Sequence, residues 1–118
     1  MEKWQATQKT LNDDTVLLNP GRVLDNNNAH EMVEVITKVQ EAGYKYIIVD
    51  LGDLEFLSSA GVGSILGTIE ISREVGGDIV LCNVRPTILH VLEVLDLADY
   101  LTVKTDAQEA ATVCGVEA

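Results

Sequence analysis

The chain has 118 residues, 47% of them apolar and only 4% aromatic, which supports one domain over 1–118 with an aliphatic core. Eight basic against 19 acidic side chains leave a formal charge of −11, which repels phosphate backbones and anionic membranes and favours basic or apolar partner surfaces. Met1 to Thr10 lacks the basic-then-apolar pattern of a secretory signal, and no window approaches the roughly 18 apolar residues of a membrane span. A cytoplasmic protein is expected, with no nucleic-acid partner and no membrane insertion.

Trp4 to Thr10 reads as a strand, Asn12-Asp13-Asp14 as a turn, and Thr15 to Asn19 as the hairpin partner, broken by Pro20-Gly21. Asp25-Asn26-Asn27-Asn28 suits a turn and a helix cap at Asn28. Met32, Val35, Ile36 and Val39 then recur at helical spacing over 29–42, and Gly43 ends the helix. Tyr46 to Leu51 is a short apolar run rich in β-branched residues, as in a central strand buried on both faces. The stretch from Gly52 to Leu57 reads as a loop anchored by Phe56 and Leu57. A second helix opens at Ser58 or Ser59, with Val62, Ile65, Leu66, Ile69 and Val75 on its buried side, and ends at Gly76-Gly77. Asp78 to Cys82 is another buried strand. Pro86 fits the first position of a third helix burying Ile88, Val91, Leu92 and Leu95. Tyr100 to Val103 is a last short strand, and Thr105 to Gln108 reads as a capping box for a final helix ending near Gly115. Strands alternating with helices predict an α/β sandwich: a mixed, largely parallel sheet of four to five strands, about four helices, and the opening hairpin antiparallel at one edge.

Catalytic sets are hard to assemble. His30 and His90 lie on predicted helices without spacing partners, so no metal site is expected. Cys82 and Cys114 sit among apolar residues and read as buried free thiols. Ser59 lacks the Gly-x-Ser-x-Gly elbow, and no Walker motif occurs. Gly61, Gly63 and Gly67 miss the dinucleotide fingerprint by one residue, so no cofactor is expected and the protein reads as a non-enzyme.

The informative segment is Asp53 to Gly67. A helix there begins with small residues only: Ser58, Ser59, Ala60, Gly61, Gly63 and Ser64. Its serines lie at a helix N-terminus, where free N–H groups and the dipole tolerate an anion such as a phosphate. Small side chains leave the first turns flat, open to close approach by another protein, at the usual functional edge of an α/β sheet. The same glycines could instead serve tight packing against the sheet. Basic residues around Ser59 look scarce, since Arg73 lies about four turns along the helix.

Asp50-Leu51, then Leu57-Ser-Ser-Ala-Gly-Val-Gly-Ser-Ile-Leu66, together with Gly76-Gly-Asp-Ile-Val-Leu-Cys-Asn-Val-Arg-Pro86 and Val91-Leu-Glu-Val-Leu-Asp-Leu97, resemble the STAS domain family. Within it the chain is most similar to the free-standing bacterial anti-sigma factor antagonists. Gly21 to Ala29 resembles the family's Gly-x-Leu-Asp loop with one extra residue, so the resemblance covers about 15–115. It implies that Ser59 is the phosphorylated serine, with Ser58, standing where the family usually has Asp, as second choice. Asp25 matches the acidic residue of the neighbouring loop. The implied docking surface comprises Asp25, Asn26, Asn27 and Asn28 with Ser58, Ser59, Ala60, Gly61, Val62 and Gly63. The implied mechanism is binding to an anti-sigma factor of serine-kinase type, release of the sigma factor, ejection on phosphorylation, and resetting by a PP2C-type phosphatase. The alternative is a non-enzymatic STAS scaffold or regulatory subunit in a stress-sensing or transporter complex.

Overall fold

The computed structural model describes residues 4–116. The elements in chain order are β1 (Thr7–Asn12), β2 (Thr15–Asn19), β3 (Val23–Leu24), α1 (Ala29–Glu41), β4 (Tyr46–Asp50), β5 (Phe56–Leu57), α2 (Ser59–Glu74), β6 (Asp78–Cys82), α3 (Pro86–Val94), β7 (Thr102–Lys104) and α4 (Ala107–Val113). The apolar run of β4 sets the architecture. It occupies the middle of a five-stranded sheet of order β1-β2-β4-β6-β7. Only the β1–β2 hairpin at the edge is antiparallel; β2–β4, β4–β6 and β6–β7 are parallel.

Ile47, Ile48 and Val49 are completely buried because both sheet faces are covered. Alternation sends Ile47, Val49, Ile79 and Leu81 to the face packed by Met32 and Ile36 of α1, Ile65 and Ile69 of α2, and Ile88 and Leu92 of α3. Ile48, Val80 and Cys82 point the other way, onto Ala110 and Cys114. Each fully buried Ile or Leu contributes about 1.5–3 kcal/mol by leaving water.

Several boundaries differ from the sequence reading. The first strand begins at Thr7. Trp4 instead donates its indole N–H to the Pro20 carbonyl at 3.0 Å, tying the incoming chain to the end of β2. The last strand starts at Thr102, since Tyr100 belongs to the turn before it. Val75 and Leu95, expected inside, are exposed because both are C-cap residues, beyond the last turn that keeps helical phase. The cap of α4 is Asp106 rather than Thr105: the Asp106 carboxylate accepts from the Glu109 N–H at 2.8 Å. The stretch from Gly52 to Leu57, read as a loop, contains β5, which pairs in parallel with β3 in a separate two-stranded sheet.

Cys82 and Cys114 are free and buried. Burial pushes the Cys82 thiol up to about 12, helped by the Asp50 and Asp106 carboxylates, and the Cys114 thiol up to about 11, helped by Asp78. Iodoacetamide at pH 8 should therefore leave the folded protein unmodified and add two carbamidomethyl groups after denaturation in urea. Rapid labelling of either cysteine in the folded state would contradict this packing.

Candidate partner-docking site

Two short strands position the site. The parallel register Leu24↔Leu57 makes the residues that follow, Asp25 and Ser58, neighbours at one end of the β3–β5 sheet. Ser58 donates its N–H to the Leu24 carbonyl at 3.0 Å, which fixes the start of α2 against the loop that opens α1. Gly61 makes this approach possible. A Cβ there would lie 2.3 Å from the Leu24 oxygen, far inside contact distance.

The two serines are not equivalent. Ser58 is the N-cap of α2, half-buried, with its hydroxyl oxygen accepting from the Gly61 N–H at 3.2 Å. Serine and aspartate are both good N-caps, so serine at 58 retains the capping function. Ser59 is the first helical residue and is exposed.

The loop from Asp25 to Asn28 is ordered by its own amides. The Asn28 side chain accepts from the Asp25 N–H and donates to the Val23 carbonyl, both at 2.9 Å. Asp25 in turn accepts from the Asn27 N–H at 2.9 Å. Asn28 occupies the cap position of α1, but its side chain turns inward and makes no capping bond to the helix.

Of the ten residues the sequence suggests for docking, Asn26, Asn27, Ser59, Ala60 and Gly63 are exposed, and Asp25 and Ser58 half-buried. Asn28, Gly61 and Val62 are buried and hold the surface up from beneath instead of offering side chains to a partner. Phe56, expected to anchor the loop inside, is 54% exposed. In strands as short as β3 and β5, Leu24 and Leu57 take the inward face and leave Val23 and Phe56 outside.

The fold also supplies arginines that sequence proximity hides. Arg22 accepts the Glu55 and Phe56 N–H groups on its carbonyl and pairs its guanidinium with Glu55. That contact lowers the Glu55 pKa and raises that of Arg22. Arg85 donates to the Gly52 carbonyl at 2.8 Å. Asp50 accepts from the Gly52 N–H at 2.9 Å and from the Asn83 amide at 3.1 Å, and Asn19 donates to Asp53 at 3.0 Å. The segment leading into Ser58 is thus pinned from three sides.

Among the described residues no three His, Cys, Asp or Glu side chains cluster as metal ligands, and no helix is long and apolar enough to cross a membrane. A groove of about 250 Å³ lined by Gln40, Tyr44, Ile71 and Val75 lies at the far end of α2 from Ser59.

The sequence profile of the STAS domain matches residues 6–110. BtrV of Bordetella bronchiseptica, provisionally assigned as an anti-sigma factor antagonist, is 31% identical over 91 residues, covering 75% of this chain and 76% of BtrV. A crystal structure of a provisionally assigned anti-sigma factor antagonist from Thermotoga maritima is 25% identical and superposes with a TM-score of 0.85 over 93% of this chain and 94% of that one. The anti-sigma factor antagonist SpoIIAA in its unphosphorylated form shares the fold at 23% identity, with a TM-score of 0.79 over 97% of this chain and all of SpoIIAA. Its phosphorylated form, from Bacillus, gives a TM-score of 0.72 at 23% identity over 92% of this chain and 99% of that one.

Proposed function

The chain belongs to the STAS domain family, and on that premise we propose that it is an anti-sigma factor antagonist switched by phosphorylation of Ser59. The observation that carries this reading is the exposed Ser59 hydroxyl on the first turn of α2, beside the Asp25 loop. The unphosphorylated protein docks this flat surface onto an anti-sigma factor of serine-kinase type, and the sigma factor is released. The kinase transfers the γ-phosphoryl group of ATP to Ser59. A phosphate adds about −1.5 to −2 charges at an interface built for small neutral groups and ejects the protein. A PP2C-type phosphatase removes it. The protein contributes no catalytic group: it is a substrate and a competing ligand.

Phosphorylation is tested by incubation with ATP and a purified serine-kinase anti-sigma factor, read by intact mass. One phosphate should appear on the wild type and on Ser58→Ala, and none on Ser59→Ala. Absence of phosphate in all three would favour the scaffold alternative.

The binding prediction is that Ser59→Asp weakens the complex at least about tenfold, which is about 1.4 kcal/mol. Ser59→Ala should do less, because a hydroxyl in a hydrogen bond is worth roughly 0.5–1.5 kcal/mol. An aspartate must lose solvation on docking, a penalty of up to several kcal/mol that the helix dipole offsets by only about 0.3–1 kcal/mol. At Ser58 the order of effects on stability reverses. Asp keeps the cap, whereas Ala loses about 1 kcal/mol of helix stabilisation. Equal, small effects of Ala and Asp at 59 on the dissociation constant would remove the switch.

A further inference from the structure

Phe56 and Val23 form an apolar ridge beside the serine, and we infer that this ridge is the hydrophobic anchor of the docking surface, received by an apolar pocket with a basic rim on the anti-sigma factor. The inference rests on the function proposed above and adds the partner's contact chemistry. Phe56 is the only phenylalanine of the chain. It is 54% exposed and lies opposite Val23, 38% exposed, in the parallel register of β3 and β5. Their exposure is imposed by the pleat, since the next pair, Leu24 and Leu57, is committed to the core. The backbone beneath is held by the Glu55 and Phe56 N–H groups on the Arg22 carbonyl, so the ring sits on a fixed platform and docking orders little new chain. The ridge leads directly into Asp25 on one strand and Ser58 on the other, which makes it continuous with the surface that carries Ser59.

Charge selects the occupant. Around the ridge stand Asp25, Asp53 and Glu55 with Arg22 and Arg85; Glu55 is paired with Arg22 and feels Arg85, which leaves a small acidic excess, and no basic side chain forms an ion pair with Asp25 or Asp53 among the described residues. A second copy of a chain carrying −11 would set carboxylates against carboxylates, and an anionic membrane would be repelled for the same reason. An apolar pocket edged by Lys or Arg on the Asp53 side answers the ring and the Asp53 carboxylate, and leaves no cation on the Ser59 side to hold a phosphate. Exposed aromatic anchors of this kind carry much of the binding energy at protein interfaces.

The probe is the purified serine-kinase anti-sigma factor of the phosphorylation experiment, titrated with the unphosphorylated full chain. Phe56→Ala should raise the dissociation constant at least about tenfold, and Phe56→Leu should recover most of it. Ile71→Ala, on the distant exposed face of α2, should stay within about twofold of wild type, and far-UV CD of all variants should match. Raising the salt concentration should weaken the wild-type complex. Wild-type binding that Phe56→Ala leaves within twofold overturns the ridge as anchor while the antagonist function stands. A wild type that does not bind this probe overturns both.

Discussion

Gly77→Ala should destabilise the protein by at least the upper end of the roughly 1–3 kcal/mol typical of overpacking. A Cβ at Gly77 would lie 1.8 Å from the Lys45 oxygen, 2.4 Å from its carbonyl carbon and 2.8 Å from its Cβ. Backbone atoms cannot swing aside as a side-chain tip can. The Lys45 oxygen also accepts the Asp78 N–H at 3.0 Å, the bond that opens the β4–β6 ladder. Relieving the clash means pulling apart the two central strands where their pairing starts. The melting temperature should fall by about 10 °C or more, reckoned from a few degrees per kcal/mol for a domain of this size. Gly67→Ala is the contrast, with open space around its Cβ on an exposed helical face. Alanine there should stabilise by up to about 1 kcal/mol. Urea unfolding of both variants reads the opposite signs, and a Gly77→Ala protein as stable as wild type would refute the close approach.

Gly61→Ala should damage both stability and docking. Its Cβ would meet the Leu24 oxygen at 2.3 Å, the Leu24 carbonyl carbon at 2.9 Å and the Leu57 side chain at 3.0 Å. The same oxygen accepts the Ser58 N–H, so the start of α2 has to lift away from β3. A loss of about 2–3 kcal/mol is expected. Binding should weaken further in the fraction that stays folded, because Asp25 and Ser59 are then held at the wrong separation. Stability by urea unfolding and affinity by titration below the unfolding transition separate the two effects. Wild-type values in both would show that the two segments are not locked together as described.

The main sheet was legible because its strands carry strong local signals. Tyr46 to Val49 and Ile79 to Cys82 are continuous apolar runs, and such runs belong to parallel strands covered on both sides. The four helices were legible in number and near their true ends, with Gly43 and Gly76 in the left-handed region that closes a helix. What escaped was too short or too late in an element for periodicity to act. β3 and β5 have two residues each, which gives alternation nothing to repeat, so Phe56 looked like an anchor. Val75 and Leu95 extended a helical spacing by one step into caps. At Thr105 the motif was displaced by one residue: Asp106 and Glu109 are the pair at work, with Glu109 also accepting from the Thr105 N–H at 3.4 Å. In the candidate site, the closeness of the Asp25 loop to the start of α2 was legible through a resemblance. Val62 was legible as a buried helical position and tight packing of Gly61 as one of two readings, but the burial of Asn28 was not, because it depends on a contact between segments more than 30 residues apart in sequence, Leu24 with Ser58.

The two edge strands bear on how this protein behaves when crowded. An open edge of a sheet invites another strand to extend it, the first step of edge-to-edge aggregation. Here β1 presents Thr7, Gln8, Lys9 and Thr10 to solvent, and its register slips between Thr10 and Asn12. A strand arriving there would meet a lysine and a broken ladder. The opposite edge, β7, offers only three residues and is packed by α4. Neither side is a good template for templated growth. The molecule can therefore keep a bare phenylalanine for recognition without its sheet becoming a seed for fibrils.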